Sequence, residues 1–311
     1  MSDNRSSLRN AVGEYMAELG EKYPNIVIVN ADLSGTCRNK SFSEKFPERS
    51  FNTGIAEQNM VSFGAGLACE GFKVYVFSMA PFLTMRACEQ CRTDVAYGNR
   101  DVKMIGVYAG LSGGISGATH WGIEDCGIMT SMPNVTVFEV SDVTQTRKIL
   151  DYSASYDGPM YIRCTVEPTG NIYDESIEIQ KAGSILTREG NDGAFLCSGV
   201  IVQYALEAAG RICEKTGKNI RVVDMYSIKP IDTEAIIEAS KTGRIVVAQD
   251  HNVYGGLCSM VTKIIAENNL NTKVVSVGVS DEFVAMAHVD YLYQKFGLDA
   301  SGLENNMMRL F

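Results

Sequence analysis

Several residue types and patterns that carry chemistry or choose partners are scarce in this sequence. It has only three histidines, His120, His251 and His288, which excludes a histidine-rich metal site. It has no stretch approaching the ~20 apolar residues that a membrane helix needs, and its polar start shows no secretory signal. It has no Lys/Arg block, and 28 Lys+Arg against 37 Asp+Glu give a formal net charge of −9. We therefore expect neither nucleic acid nor an anionic membrane as a partner.

The nine cysteines predict packing rather than chemistry. Their number is odd, their spacing is irregular, and most lie in apolar runs, as Cys69 and Cys197 do. We expect reduced, buried thiols in a cytoplasmic protein. Cys88 and Cys91 have C-x-x-C spacing, but no second such pair completes a zinc site, and both lie within a predicted helix.

Length and patterning predict two α/β domains with mostly parallel sheets. The chain has 311 residues, and a domain takes roughly 150. Short apolar strands alternate with helices, which is typical of a parallel sheet covered on both faces. The alternation breaks at about residues 165–185. There Ser176–Ile179 is predicted as a short exposed strand.

The predicted helices and strands can be placed from this alternation. The predicted helices are about 7–22, 56–70, 80–97, 142–154, 200–215, 232–241 and 256–268. The predicted strands are 26–29, 74–77, 102–107, 135–138, 160–162, 194–196, 220–223, 245–248 and 274–277.

A carboxylate and a glycine-rich loop are the main candidates for chemistry. Glu57 opens an almost entirely apolar helix, which we expect to be buried. Either a plain helix-end charge or an acid at the edge of an apolar cleft fits this placement. The loop Gly110–Trp121 follows a predicted strand and contains four glycines, His120 and the only tryptophan. It fits neither a dinucleotide nor a Walker motif. Its position favours a ligand site over an idle surface loop.

Other features are ambiguous when taken one at a time. Met79, Phe82 and Met85 recur at three-residue spacing, which describes either a core stripe or a wall for a planar ligand. His251 stands at a strand end before a helix, where a structural or interface role is favoured over a catalytic one.

Several runs of this sequence, in this order and spacing, resemble the C-terminal half of the thiamine-diphosphate enzyme transketolase. They are Asn52–Met60, Phe82–Gln90, Gly117–Asp125 with the following Met132–Asn134, and Asp250–Asn252. The resemblance covers nearly the whole chain. It implies a pyrimidine-binding domain at 1–165, a linker at 166–184 and a transketolase C-terminal domain at 185–311.

The resemblance implies thiamine diphosphate as the cofactor and gives roles to several residues. Glu57 matches the activating glutamate, which hydrogen-bonds N1′ of the aminopyrimidine ring. Phe82 matches the aromatic residue that stacks on this ring, with Met79 and Met85 completing the pocket. Asp32 matches a position close to the cofactor.

The implied reaction is transfer of a two-carbon ketol unit from a ketose to an aldose. His120 matches the substrate-facing histidine, which binds substrate oxygens or moves protons as the C–C bond breaks.

Departures from the family pattern concern the substrate. Ser116 stands where many transketolases have an Asp that recognises a sugar hydroxyl, and Tyr108 replaces a second histidine. Arg9 and Thr36 stand where the family often has an Arg and a Ser for the sugar's phosphate end. Arg163 is a candidate for a further family Arg. Both pentose phosphates and sugars with another anionic end group fit this set.

No Gly-Asp-Gly motif occurs, although full-length transketolases use one, with a later Asn, to bind the diphosphate through a metal ion. The resemblance therefore implies the C-terminal subunit of a split transketolase that binds no metal itself. A partner, the N-terminal transketolase subunit, would bring the diphosphate site and Mg²⁺ or Ca²⁺. An α2β2 assembly is the natural symmetric arrangement.

Two other interpretations share the same fold. One is a deoxyxylulose-phosphate synthase-like or 2-oxoacid dehydrogenase beta-like subunit, which handles 2-oxoacids. The other is a non-catalytic regulatory homologue, against which the presence of Glu57 argues. The sequence Thr119-His120 followed by Ile123–Asp125 favours transketolase over the dehydrogenase chain.

Overall fold

The computed structural model describes residues 6–283 and 285–311, which fold around parallel sheets covered by helices. The strands are β1 Ser6–Ser7, β2 Ile26–Asn30, β3 Ser50–Asn52, β4 Lys73–Met79, β5 Val102–Val107, β6 Thr136–Glu139, β7 Met160–Arg163, β8 Pro168–Thr169, β9 Ile185–Arg188, β10 Gly193–Cys197, β11 Ile220–Asp224, β12 Ser227–Lys229, β13 Arg244–Asn252 and β14 Lys273–Val279.

The helices lie between these strands and after the last one. They are α1 Leu8–Lys22, α2 Lys40–Lys45, α3 Glu57–Cys69, α4 Cys88–Gln90, α5 Asp125–Ser131, α6 Val143–Ser155, α7 Ile201–Thr216, α8 Thr233–Ser240, α9 Gly256–Glu267, α10 Val289–Phe296 and α11 Ala300–Met308. Two π-helical turns, Phe82–Arg86 and Cys91–Ala96, flank α4. No helix among residues 6–283 and 285–311 has both the length and the apolarity that crossing a bilayer requires.

Two large sheets organise the molecule, and both are mainly parallel. The first has the order β12-β6-β7-β5-β4-β2-β3, and the second has the order β14-β13-β10-β11-β9. Every residue of β2, β5 and β10 is buried. Such continuous apolar strands are what a sheet covered on both faces requires. The predicted α/β class with mostly parallel sheets is confirmed.

The chain crosses back to the first sheet after entering the second. Strand β12, Ser227–Lys229, pairs antiparallel with β6 at the edge of the first sheet. Strand β9 pairs antiparallel with β11 at the edge of the second sheet. Among the described strands of the two large sheets, all other pairings are parallel.

The prediction of a strand at Ser176–Ile179 is wrong, because that segment forms no strand in the described part of the chain. The backbone just after it is bound by a side chain instead. The amide N–H of Gln180 donates to the Tyr226 hydroxyl at 2.8 Å, and this hydroxyl donates to the Gln180 carbonyl at 3.1 Å.

The expectation that α3 is buried is only half right. Met60 and Val61 are buried, but the opposite face of the helix, which includes Phe63 and Gly66, is exposed. Cys69 lies on this uncovered face, so the expectation of buried thiols is wrong for it. Six of the nine free cysteines are buried, and Cys88 and Cys213 are half-buried.

Candidate active site

The carboxyl ends of four parallel strands meet at one edge of the first sheet. Strands β3, β2, β4 and β5 lie side by side with their chains running in the same direction. Shortly beyond their ends come the residues with candidate roles: Asp32 after β2, Glu57 after β3, Phe82 after β4, and Tyr108 and His120 after β5. This edge is where open α/β sheets bind ligands.

Glu57 is a buried carboxylate at the first position of α3. Its side chain is only 1% exposed. The helix N-terminus favours a negative charge there. Its Oε2 accepts a hydrogen bond from Nη1 of Arg86 at 2.7 Å, so the charge is paired. Glu57 is thus a buried carboxylate with one specific basic partner, at the edge of the sheet where ligands bind.

Arg86 and Phe82 lie beside Glu57, and we call the space bordered by Glu57 and Phe82 the pyrimidine pocket. Phe82 begins and Arg86 ends a π-helical turn, a geometry that is frequent at functional sites. The guanidinium carbon of Arg86 lies 4.3 Å from the centroid of the Phe82 ring, so the planar group stacks on its face. Arg86 thus contacts both Phe82 and Glu57.

His120 adds a third, distant segment of the chain to the group formed by Glu57, Arg86 and Phe82. Its ring meets the ring of Phe82 edge-on, with 5.3 Å between centroids and 65° between planes. Its Nδ1 is hydrogen-bonded to the Thr119 hydroxyl at 2.8 Å. In the described part of the chain Nε2 has no partner, so this nitrogen is available to a substrate oxygen.

Residues from the second half of the chain bind the start of the loop Gly110–Trp121, which carries His120 and is called the His120 loop below. Asp250, in β13, accepts hydrogen bonds from the Leu111 amide at 2.9 Å and from the Tyr293 hydroxyl at 2.8 Å. Gly110 has a φ of 69°, and a Cβ there would lie 2.1 Å from the Asp250 carboxylate, so only glycine fits. Burial raises the pKa of Asp250 to about 7.

Of the other candidate substrate residues, the structure brings Arg9 and Tyr108 into contact. Nη1 of Arg9, in α1, donates to the Tyr108 hydroxyl at 3.0 Å, and the guanidinium lies over that ring. Thr36 is half-buried in the turn after β2. Ser116 is exposed near the tip of the His120 loop, next to the exposed Ile115.

The remaining predicted cofactor residues differ in their surroundings. Asp32 is exposed with a φ of 59°, and its Oδ1 accepts from the Asn52 side chain at 3.1 Å. Met79, at the end of β4, is half-buried against the core that α1 and α6 cover. Met85 is 42% exposed, one residue before Arg86.

Arg163 is not available to a substrate in this structure, contrary to its candidate role. Its side chain is completely buried. It donates to Asp125 at 2.9 Å, to Glu139, and to the carbonyl oxygens of Gly122 at 3.0 Å and Asp250 at 2.5 Å. The carbonyl of Asp250 belongs to β13, so Arg163 ties the two sheets together.

A buried trio beside this network, Asp125, Cys126 and His251, has the residue types of a metal site. Its groups are already engaged, since Asp125 binds Arg163 and Tyr161, and Nε2 of His251 accepts from the Gly127 amide at 3.3 Å. Burial also raises the pKa of the Cys126 thiol and lowers the pKa of His251. These contacts assign His251 the structural role that the sequence favours.

Comparison with known proteins agrees with this geometry. The family model described as transketolase, pyrimidine binding domain, matches residues 5–169. The model described as transketolase, C-terminal domain, matches residues 183–303. The chain belongs to the transketolase family. This family depends on thiamine diphosphate.

Relatives of similar length are named as a C-terminal section or as separate subunits of transketolases. The chain is 39% identical over 305 residues to a putative transketolase C-terminal section of Methanocaldococcus jannaschii, covering 97% of this chain and 95% of the relative. It is 36% identical over 294 residues to the 6-deoxy-6-sulfo-D-fructose transketolase subunit SqwH of Clostridium sp. strain MSTE9, covering 94% and 91%. It is 33% identical to an apulose-4-phosphate transketolase subunit of Phocaeicola vulgatus, covering 97% of each.

A solved structure gives the same result. The structure described as a split gene transketolase, inactive beta4 tetramer, superposes with a TM-score of 0.88 at 36% identity, covering 98% of this chain and 97% of the other. The chain therefore corresponds to the C-terminal subunit of a split transketolase. It spans only about half of 1-deoxy-D-xylulose-5-phosphate synthase from Clostridium perfringens, at 48% of that protein's length and 33% identity.

Proposed function

We propose that this chain is the C-terminal subunit of a thiamine-diphosphate-dependent transketolase and provides the pyrimidine half of its active site. The observation that carries the proposal is the convergence of Glu57, Phe82 and His120 at the carboxyl edge of the first sheet. Family membership supports the reaction class.

The pocket suits the aminopyrimidine ring of the cofactor. The face of Phe82 and the carboxylate of Glu57 together hold a planar hydrogen-bond donor, the Arg86 guanidinium. An aminopyrimidine is also planar and offers hydrogen bonds at its rim, so these two side chains would bind it by stacking and by hydrogen bonding. Met79, Met85 and Asp32 would border the ring.

When bound, thiamine diphosphate supplies the electron sink that lets a C–C bond beside a ketose carbonyl break and form again. Glu57 would hold the proton that it shares with the ring nitrogen N1′, and its burial excludes competing water. His120 would bind a substrate oxygen through Nε2 and exchange a proton with it. The C2–C3 bond of the donor ketose breaks, and the acceptor aldehyde carbon gains the two-carbon unit, so the overall transfer needs no oxidant.

The donor is proposed to be a ketose with an anionic end group. Arg9 lies beside Tyr108, next to the turn that carries Thr36, and its guanidinium would attract a phosphate or a sulfonate. Ser116 offers a neutral hydroxyl at the loop tip. Relatives named for a sulfo-fructose and for apulose 4-phosphate show that both kinds of end group occur in this family.

The partner is proposed to be the N-terminal transketolase subunit, which would carry the diphosphate site and its Mg²⁺ or Ca²⁺ in an α2β2 assembly. Large apolar side chains are exposed on or directly beside α3 and the π-helical turns: Ile55 two residues before α3, Phe63 on α3, Met85 in the first turn and Tyr97 directly after the second. Exposed apolar groups of this size mark interaction surfaces. The free thiols support the expected cytoplasmic location.

The reaction class is tested with the purified two-subunit enzyme. We expect turnover when a ketose phosphate or ketose sulfonate is paired with an aldose acceptor, measured as the new aldose by chromatography. We expect no release of CO₂ from pyruvate. Pyruvate decarboxylation without ketol transfer would instead place the chain with the 2-oxoacid enzymes.

A further inference from the structure

Arg86 occupies a position in this subunit that the proposed function requires for another group. Its guanidinium makes the two contacts assigned above to the aminopyrimidine ring: stacking on Phe82 with 4.3 Å from guanidinium carbon to ring centroid, and a 2.7 Å hydrogen bond to Glu57 Oε2. One ring face and one carboxylate oxygen cannot serve both groups at once.

We infer that Arg86 is a placeholder: its guanidinium occupies the pyrimidine pocket in the cofactor-free subunit and leaves when thiamine diphosphate binds. This inference rests on the proposed function, because it takes the Glu57–Phe82 pocket as the place of the ring. It adds a residue that sets cofactor affinity by competing for the pocket.

The burial of the two partners differs in the way that a placeholder requires. The Glu57 side chain is 1% exposed, whereas that of Arg86 is 47% exposed. Glu57 is therefore fixed in the fold, while Arg86 reaches into the pocket from its solvent-facing rim. Among the described residues, the Arg86 guanidinium has only the two contacts with Glu57 and Phe82, so no further bond holds it in place.

The pairing also explains how the fold tolerates the buried Glu57 carboxylate. An ionised carboxylate buried without a partner is costly, and a guanidinium over an aromatic face adds a favourable cation–π contact. Arg86 thus gives the buried Glu57 carboxylate a partner and holds it in line until the cofactor ring replaces the guanidinium. The same contacts make binding of the cofactor weaker than it would be in a vacant pocket.

The test is calorimetric titration of thiamine diphosphate, with Mg²⁺ present, into the two-subunit complex carrying Arg86→Met. Methionine keeps an unbranched chain of similar reach but has no charge and no donor. If Arg86 holds the pocket in about nine of ten free molecules, its removal tightens the apparent Kd about tenfold. Arg100→Met is the matched control, since Arg100 is exposed on the same segment of chain, and we expect its Kd to be unchanged.

Guanidinium ion provides a second measurement that separates a placeholder from a structural role. We expect tens of millimolar guanidinium chloride, compared with equal NaCl, to weaken cofactor binding in Arg86→Met and to leave the wild-type Kd nearly unaffected. Weaker cofactor binding by Arg86→Met than by wild type would overturn the inference and make Arg86 a positioning residue for Glu57. An unchanged Kd would overturn it as well. If the wild-type complex binds no thiamine diphosphate, the proposed function itself fails. If the wild-type complex binds it but Arg86→Met binds it no more tightly, only the inference about Arg86 fails.

Discussion

Replacing Glu57 by Gln is expected to lower ketol transfer by the two-subunit enzyme on the order of a hundredfold to ten-thousandfold, the range for losing a positioned acid–base group. Glutamine keeps the size of the side chain and can still accept from Arg86, so α3 should form as before. It cannot share a proton with the cofactor ring nitrogen. The measurement is kcat at saturating cofactor, with circular dichroism to confirm folding.

Glu70→Gln is the matched control for this substitution. Glu70 is an exposed carboxylate at the other end of the same helix, and its replacement removes one charge without touching the pocket. We expect its kcat to be unchanged. A Glu57→Gln enzyme that keeps its activity within a few-fold would remove the catalytic role of Glu57 and favour a non-catalytic homologue.

Arg163→Met is expected to destabilise the subunit by roughly 3–5 kcal/mol, as removal of one partner from a buried ion pair does. The substitution leaves Asp125 and Glu139 buried without their cation and removes the donors to two carbonyl oxygens. The measurement is the free energy of unfolding from urea denaturation. Because Arg163 also contacts the β13 backbone, we expect the two halves of the chain to lose cooperativity.

Two comparisons make this prediction specific. Arg211→Met removes a surface pair with Glu207 and should cost no more than about 1 kcal/mol. Adding Asp125→Asn and Glu139→Gln to Arg163→Met should restore part of the lost stability, because uncompensated buried charges then disappear. A loss under about 1 kcal/mol for Arg163→Met alone would show that this network does not stabilise the fold.

The sequence predicts the sheets well because their strands are short apolar runs that need no tertiary context. The end of the predicted strand 102–107 also locates the loop with His120 at the ligand-binding edge, whereas β3, Ser50–Asn52, which precedes Glu57, is not predicted. Strand β12, Ser227–Lys229, is missed because three residues with a Ser and a Lys show no apolar run. Its place beside β6 depends on the second half of the chain folding back.

Arg86 is missed for a related reason. It lies 29 residues after Glu57, and its stacking on Phe82 depends on a π-helical turn for which the sequence gives no clear signal. An arginine four residues after Phe82 in an otherwise apolar stretch is the one available hint. Arg163 is misjudged because sequence does not distinguish a buried arginine from one that faces a ligand.

The exposed face of α3 shows a further limit of composition. Its small and apolar residues indicate a buried helix, yet Phe63 and Gly66 are uncovered in this subunit. The fully buried centre of a surface that another chain covers is more apolar than the rest of the protein surface. This is the pattern that the proposed contact with the N-terminal subunit requires.

The most direct test of the central claim is a pair of calorimetric titrations of thiamine diphosphate with Mg²⁺, one into this chain alone and one into its complex with the diphosphate-binding subunit. We predict weak, Mg²⁺-independent binding by this chain, because it contacts only the pyrimidine ring, and tight, Mg²⁺-dependent binding by the complex. Tight, Mg²⁺-dependent binding by this chain alone would contradict an active site divided between two subunits.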